Sequence, residues 1–439
     1  MDDARAGQET LLSVCLIVKN EEHNLAKCLA SVKPVADEIV VVDTGSTDRT
    51  VQIARDFGAR VEQFSWRQDF AAARNYAKSC ARGKWVFQID ADEELFPQDR
   101  EKLRDLVSRD ECDVALVAIH NRSSSVFGEN RPVVHFLARL FKNRPDLYYE
   151  NPIHETLVLH GRVVATDINL LHHGYNADPV TLRNKRQRNV QLLLQRLAKC
   201  PDDLMACFYL SSHYLGVGDF DAARIYAQRV VSGINRSGSN QQHVLLMALN
   251  NIAIAELEKG NYARVEEVAK QAEKLDADYL VPQFFLGLSY FRQGRYADAK
   301  KVFEAYLQRH KDPQENVPAK LYDHASHAYL FQVCHLLGKI YRREKAFDQA
   351  REMLIRAVEL NPQFWIALAE LGYLCVELKD LARASEHFEK AIAIARANPA
   401  AGQKNQMLRQ DLVNLVKSYL VLLKRKTPDA AGENAGNEG

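Results

Sequence analysis

The second half of the chain repeats itself. Gly260-Asn261-Tyr262 and Gly294-Arg295-Tyr296 stand 34 residues apart, as do Lys345-Ala346-Phe347 and Lys379-Asp380-Leu381, and Gly218-Asp219-Phe220 is an earlier copy. Seven positions before each turn sits a small residue: Ser211, Ala253, Gly287, Gly338 and Gly372. Three positions after each aromatic or Leu comes a compact side chain (Ala223, Val265, Ala299, Ala350, Ala384), and four further on come Ala227, Ala269, Phe303, Leu354 and Phe388. A fixed period with small side chains where helices cross leaves few folds open. One helix pair cannot bury its apolar face alone, so successive pairs stack into a solenoid with one continuous core. The Pro in "LNPQFW" (Leu360–Trp365) separates one pair from the next. Between Leu307 and Tyr329 the register breaks, and an inserted loop with an extra turn is expected there.

The first part of the chain alternates instead. "LLSVCLIV" (Leu11–Val18), "EIVVVD" (Glu38–Asp43), "RVEQF" and "WVFQID" (Trp85–Asp90) are apolar runs of strand length. Continuous apolar runs of this kind suit parallel strands covered on both faces. Between them lie helical spacings: Leu25, Cys28, Leu29 and Val32 after Asn20, a candidate cap; "STDRTVQIARDFG", with Ser46 or Thr47 as cap and Gly58 as stop; and "FAAARNYAKSCARG". This order predicts a mostly parallel, doubly wound α/β sheet, whose ligands bind at the carboxyl ends of the strands. "DVALVAI", "HFLARLF" and "RVVATDINLLHH" follow as strands of mixed direction, and the strand signals stop near Asp178-Pro179. The expected divisions are a flexible stretch 1–10, an α/β domain 11–178, an all-α repeat domain 179–425 and a small, polar, disordered tail 426–439.

Formal net charge is +1 over 439 residues. No charge bias points to nucleic acid as a partner. The eight cysteines include no CxxC pair and mostly lie inside apolar patterns, as expected of buried thiols in a reducing compartment. The amino-terminal stretch has acids and no basic region, and no apolar run reaches membrane-spanning length. A cytoplasmic protein is expected, with peripheral attachment at the inner face of a membrane left open.

Two apolar runs end in polar edges. Asp43-Thr44-Gly45-Ser46 closes the second strand, and Asp90-Ala91-Asp92-Glu93-Glu94 closes the fourth. Two carboxylates one residue apart can chelate Mg²⁺ or Mn²⁺, which take oxygen ligands and share them with a diphosphate. Glu93 and Glu94 read alternatively as acids at a helix N-terminus. Asp43 reads as a carboxylate for a base or ribose, or as a helix cap. Arg74 can pair with a phosphate or stack on a base, or can be solvated. In "NPIHETLVL", His154-Glu155 offers a general base beside a metal or phosphate ligand, or a polar loop. His172, in "NLLHHGY", can close a metal shell begun by the carboxylates, or mark a domain-boundary turn.

"SVCLIVKNEEHNLAKCLASV", "ADEIVVVDTGSTDRTVQIARDFGARV", "DFAAARNYA" and "GKWVFQIDADEEL", continued by "HFLARLFKN", "IHE" and "LHHGY", resemble glycosyltransferase family 2, which has the GT-A fold. The branch is that of lipopolysaccharide-core glucosyltransferase-like enzymes and peptide S-glycosyltransferases, and the helical part resembles the tetratricopeptide repeat. The resemblance implies inverting, metal-dependent transfer from a nucleoside-diphosphate sugar. It implies Asp43 at the base, Arg74 near the base or diphosphate, Asp90 at the ribose, Asp92 on the metal, and Glu155 as general base. His154 and His172 match patterns of the branch. A protein or peptide acceptor held by the repeats is expected. The other readings are a glycolipid or lipopolysaccharide acceptor with the repeats joining a homodimer, and a repeat scaffold whose first domain only senses sugar nucleotides.

Overall fold

The computed structural model describes residues 10–124, 130–173, 179–237, 241–310 and 329–397, with a few positions between 414 and 421. The expected flexible start (all but residue 10), most of the expected insertion and the expected tail lie outside the described residues. The chain divides into two compact units, residues 1–122 with 132–213, and residues 214–439 with 123–131.

The first unit is built on an eight-stranded sheet. Its strands are β1 (Leu12–Val18), β2 (Glu38–Asp43), β3 (Arg60–Gln63), β4 (Trp85–Gln88), β5 (Glu93–Leu95), β6 (Val114–Ser124), β7 (Asn130–Lys142) and β10 (Val163–His172), in the order β3-β2-β1-β4-β7-β6-β10-β5. The first four pair in parallel, from Ser13 opposite Glu38 to Val18 opposite Asp43 and from Leu12 opposite Trp85 to Cys15 opposite Gln88. Crossovers through α1 (Leu25–Val32), α2 (Thr50–Asp56) and α3 (Phe70–Cys80) join them. Covered on both faces, β1, β2 and β4 bury almost every side chain, which is why they read as unbroken apolar runs. The later strands mix direction: β7 runs antiparallel to β4, and β10 parallel to β6 but antiparallel to β5.

Three local expectations change. Asn20 does not cap α1. It takes a positive φ of 55° and its Oδ1 accepts the Thr47 amide at 2.8 Å, pinning one polar edge to the next. Neither Ser46 nor Thr47 caps α2, which starts at Thr50; Asp48 instead accepts the Thr50 amide at 2.9 Å. Glu93 and Glu94 do not open a helix, because they pair with β10 as an edge strand, and the next helix, α4 (Arg100–Arg109), begins past a 3-10 turn at Pro97–Asp99.

After β10 come α5 (Pro179–Lys199) and α6 (Leu204–Val217), and the division between the units falls within α6. The second unit holds α7 (Phe220–Ser237), α8 (Gln242–Glu258), α9 (Tyr262–Leu275), α10 (Val281–Arg292), α11 (Tyr296–Arg309), α12 (Leu330–Arg343), α13 (Phe347–Leu360), α14 (Trp365–Glu377) and α15 (Leu381–Ala397). Each packs mainly on its sequence neighbours, as a solenoid requires. The turns fall on the recurrent triplets, with positive φ at Gly260, Gly294, Lys345 and Lys379. The small residues are explained by volume. A Cβ on Gly287 would lie 2.4 Å from Phe303, one on Gly372 2.4 Å from Phe388, and one on Gly338 2.6 Å from Leu354. Where the facing position is Ala269, the small position can be Ala253.

Candidate active site

Asp43 is almost fully buried, and its carboxylate accepts the Ser46 amide at 3.0 Å and the Gly45 amide at 3.3 Å. It closes a side-chain-to-backbone turn that Gly45, at φ 104°, makes sterically free. The hydroxyl-rich edge is therefore a rigid loop at the carboxyl end of β2.

Two residues beyond β4, Asp90 is gripped from both sides. Arg74 Nη2 donates to Oδ1 at 2.8 Å and Arg139 Nη2 to Oδ2 at 2.6 Å. Each arginine bridges onward, Arg74 Nε to Glu155 Oε1 at 2.6 Å and Arg139 Nη2 to Glu93 Oε1 at 2.6 Å. Glu93 Oε2 also accepts the Asp90 amide at 2.9 Å. Both arginines are buried. Burial opposes the charge on Asp90, but Arg139 and Arg74 outweigh it and hold the carboxyl well below the usual carboxylate range. Glu93 goes the other way: burial pushes it up to about 7 against the pull of Arg139. Among the described residues, Arg74 Nη1 and the Tyr149 hydroxyl are buried without a hydrogen-bond partner. An arginine with a spare buried N–H is a donor waiting for an anionic oxygen.

Asp92 belongs to the opposite side of the same edge. Its Oδ2 lies 3.3 Å from His172 Nε2, because the end of β10 runs beside β5; the His173 amide donates to the Asp92 carbonyl at 2.7 Å. Burial lowers the His172 pKa, yet the hydrogen bond to Asp92 and its charge outweigh this and raise it. Among the described residues, no three His, Cys, Asp or Glu side chains converge on one metal position. Asp92 could supply a hard oxygen ligand to a divalent cation and His172 a borderline nitrogen, with the remaining places left to water and a diphosphate. Asp90, with both oxygens engaged, is suited to anchoring the loop.

Glu155 and His154 lie in the turn between two short strands, β8 (Tyr149–Glu150) and β9 (Thr156–Leu157). Asn75 fastens the hairpin to α3 by accepting the Tyr149 amide and donating to its carbonyl, both at 2.8 Å. The structure thus brings Arg74, Asp90 and Glu155 together, pairs Asp92 with His172, sets Asp43 in its own turn, and turns His154 towards α6. Sequence reasoning missed Arg139 as a site residue and the partners of His154. An arginine on β7 next to the apolar pair Leu140-Phe141 was the available signal, since a charge there needs a counter-ion.

Fold and site together define an α/β domain with an ionic cluster at the carboxyl edge of a mostly parallel sheet, on a chain that also carries helical repeats. Residues 13–160 match the family described as "Glycosyl transferase family 2", and residues 250–316 and 335–400 match "Tetratricopeptide repeat". The sheet residues thus carry the match to family 2 glycosyltransferases, and the later helices the match to tetratricopeptide repeats. It is 33% identical over 261 residues to a TPR repeat-containing protein of Synechococcus elongatus, an alignment covering 57% of this chain and 62% of that one. It is 25% identical over 258 residues to the SPbeta prophage-derived glycosyltransferase SunS of Bacillus subtilis, covering 56% and 59%. The chain thus spans about three fifths of the length of these relatives. Among solved structures, S. aureus TarS 1–349 in complex with UDP-GlcNAc aligns at 17% identity with a TM-score of 0.34, covering 68% of this chain and 92% of that one. No helix among the described residues is long and apolar enough to cross a membrane.

Proposed function

We propose that this chain is an inverting glycosyltransferase that moves a sugar from a nucleoside-diphosphate donor to a protein or peptide acceptor held by the repeats. The observation that carries the reading is the Glu155–Arg74–Asp90 cluster at the carboxyl edge of the family 2 sheet. Arg74 links the two sides of a transfer reaction. Its unpartnered Nη1 is suited to a donor phosphate oxygen, and its Nε fixes Glu155, the candidate base. Glu155 Oε2 takes no hydrogen bond among the described residues, so one oxygen is oriented and the other is available for a proton. In this reading Glu155 removes the proton of an acceptor hydroxyl or thiol as it attacks the anomeric carbon, and the nucleoside diphosphate leaves from the opposite face. Asp43 and its turn form the nucleoside side. Asp92 and His172 would hold Mn²⁺ or Mg²⁺, which would neutralise charge developing on the departing diphosphate. The solenoid supports an extended acceptor because such stacks present long concave surfaces. Eight cysteines without a disulfide fit a reducing cytoplasm.

The test is a thermal-shift panel of nucleoside diphosphates and nucleotide sugars, with and without Mn²⁺, on wild type and Asp92→Asn. A ligand at about a hundred times its Kd adds about 2.7 kcal/mol to the native state. A shift with one nucleotide that needs Mn²⁺ and disappears in Asp92→Asn is the expected result. No shift with any nucleotide, on folded protein, would instead favour the scaffold reading.

A further inference from the structure

The turn that carries Glu155 is strained. Asn151 and His154, at its two ends, adopt positive φ values of 75° and 51° without being glycine. Such conformations persist only where surrounding contacts over-determine them, and they concentrate where a side chain must be aimed. Part of the support comes from α3: the Phe70 amide donates to the Pro152 carbonyl at 2.9 Å. The rest comes from α6. The His154 ring lies flat on Tyr209, with centroids 3.8 Å apart and planes 10° from parallel. His154 Nε2 stands 3.3 Å from His213 Nε2. Tyr209 and His213 are four residues apart, so one helix face presents both, and all three residues belong to the first unit. The left-handed turn at His154 directs its ring into this clamp while the next residue, Glu155, meets Arg74.

We propose that Tyr209 and His213 are positioning residues, which hold His154 and thereby aim Glu155 at the acceptor; the inference rests on Glu155 having the role given above. Two imidazoles sharing one proton make a bond that works only while at least one ring is neutral. The charges facing them favour neutrality. Arg196 and Arg186 of α5 face His154 and His213 respectively, Glu155 and Arg196 face Tyr209, and Arg188 of α5 faces Glu155. Burial, then His213 and Arg196, brings His154 down to about 4, and burial with Arg186 lowers His213. For histidines shifted down on folding, the unfolded chain binds more protons in the window between about 4 and the usual 6.5. The clamp therefore contributes fully above pH 6.5 and is lost as the pH falls towards 4.

The experiment uses the full chain and three variants: His213→Ala, His213→Gln and Tyr209→Leu. Hydrogen exchange at pH 7.5 is followed in peptides covering residues 151–157, with 38–43 and 85–88 as internal controls. His213→Ala and Tyr209→Leu are expected to raise exchange in the turn by about tenfold and leave the strands unchanged, as loss of a local restraint does. His213→Gln, which keeps a hydrogen-bonding nitrogen near the same place, should restore most of the protection. Release of nucleoside diphosphate from UDP-glucose, UDP-GlcNAc and GDP-mannose supplies the second readout. A misaimed Glu155 is expected to lower kcat by about tenfold or more in His213→Ala with donor KM little changed. Unlike wild type, His213→Gln should also keep its activity as the pH falls from about 5 towards 4, where protonation of His154 breaks the imidazole pair. Unchanged exchange in the turn of both His213→Ala and Tyr209→Leu would overturn the inference. Exchange that rises while kcat and its pH profile stay as in wild type would overturn it too, by reducing the clamp to a packing contact. If wild type releases no diphosphate from any donor, it is the proposed function that fails, and exchange still decides whether the clamp exists.

Discussion

The sheet unit and the repeat unit spend their buried volume differently. At the sheet edge the buried groups are charges: Arg74, Arg139 and Glu93 are each less than a tenth exposed and are locked together through Asp90. In the repeats most buried groups are shapes, with Gly287 against Phe303 and Gly372 against Phe388; Glu370 is a buried exception, paired with Lys339 and Arg342, whereas pairs such as Arg264 with Glu267 lie outside. A packing contact is satisfied by any neighbour of the right volume. A buried charge is satisfied only by its own partners, so the sheet edge is specific and expensive where the repeats are robust and periodic.

The largest expected effect follows directly. Arg139→Met keeps the aliphatic stem and removes the charge, leaving Glu93 and one oxygen of Asp90 without their partner. Removing one member of a buried pair costs about 3–5 kcal/mol. Denaturant unfolding followed in the sheet unit should show that loss. The matching change in the repeats, Arg264→Met, breaks a pair whose members are 37% and 66% exposed. It should cost at most about 0.5 kcal/mol. Similar losses at the two places would erase the contrast.

Next is shape. Gly287→Ala places a methyl 2.4 Å from the Phe303 ring, inside contact distance, so the ring or the helix must move. Overpacking of this kind costs about 1–3 kcal/mol in a well-packed core. The double variant Gly287→Ala/Phe303→Leu, which imitates the Gly338–Leu354 pair only in part, should recover some of that loss in the same melt. No recovery would mean that the two positions do not share one volume.

The same difference explains what the sequence made legible. The repeats could be read because their constraint is local and recurs: a turn triplet, a small residue seven positions before its first member and apolar residues three and seven positions after its last, copied five times. Strands β1, β2 and β4 could be read because burial on both faces leaves an unbroken apolar run. The sequence placed the candidates Asp43, Asp90 and Asp92 at or just past strand ends, as the structure does, whereas Arg74 and Glu155, in a helix and a loop, kept a solvated or polar-loop alternative. Its wiring is non-local. Glu155 is 81 residues from Arg74 and Arg139 is 49 from Asp90, and no periodicity connects such pairs. Asn20 misled for a related reason: a polar residue before a helical pattern resembles a cap, but its side chain satisfies a loop 27 residues away. His213 was hidden within a helix that scans as one more repeat.

The smallest effect tests whether the repeat turns are as interchangeable as their period suggests. Gly260 and Gly294 close their helices with φ 76°, and the equivalent positions in the later copies are lysines, Lys345 at 61° and Lys379 at 63°. The backbone does the same work in all four. The Lys345 amide reaches the Arg342 carbonyl at 3.1 Å and the Ala346 amide the Tyr341 carbonyl at 2.9 Å, as Gly294 and Arg295 do with Phe291 and Tyr290. Lysine therefore carries the steric penalty of a left-handed residue that glycine escapes, while glycine gives up more chain entropy on folding. Both lysines are exposed, so the substitution removes little packing. With the hydrogen bonds unchanged, the steric gain exceeds the entropy loss, and Lys345→Gly should stabilise the repeat unit by about 0.5–1 kcal/mol. The reciprocal Gly294→Lys should destabilise it by a similar amount in the same melt. If Lys345→Gly is neutral or harmful, the later copies have adapted their turns to lysine, and the repeats are less alike than their spacing implies.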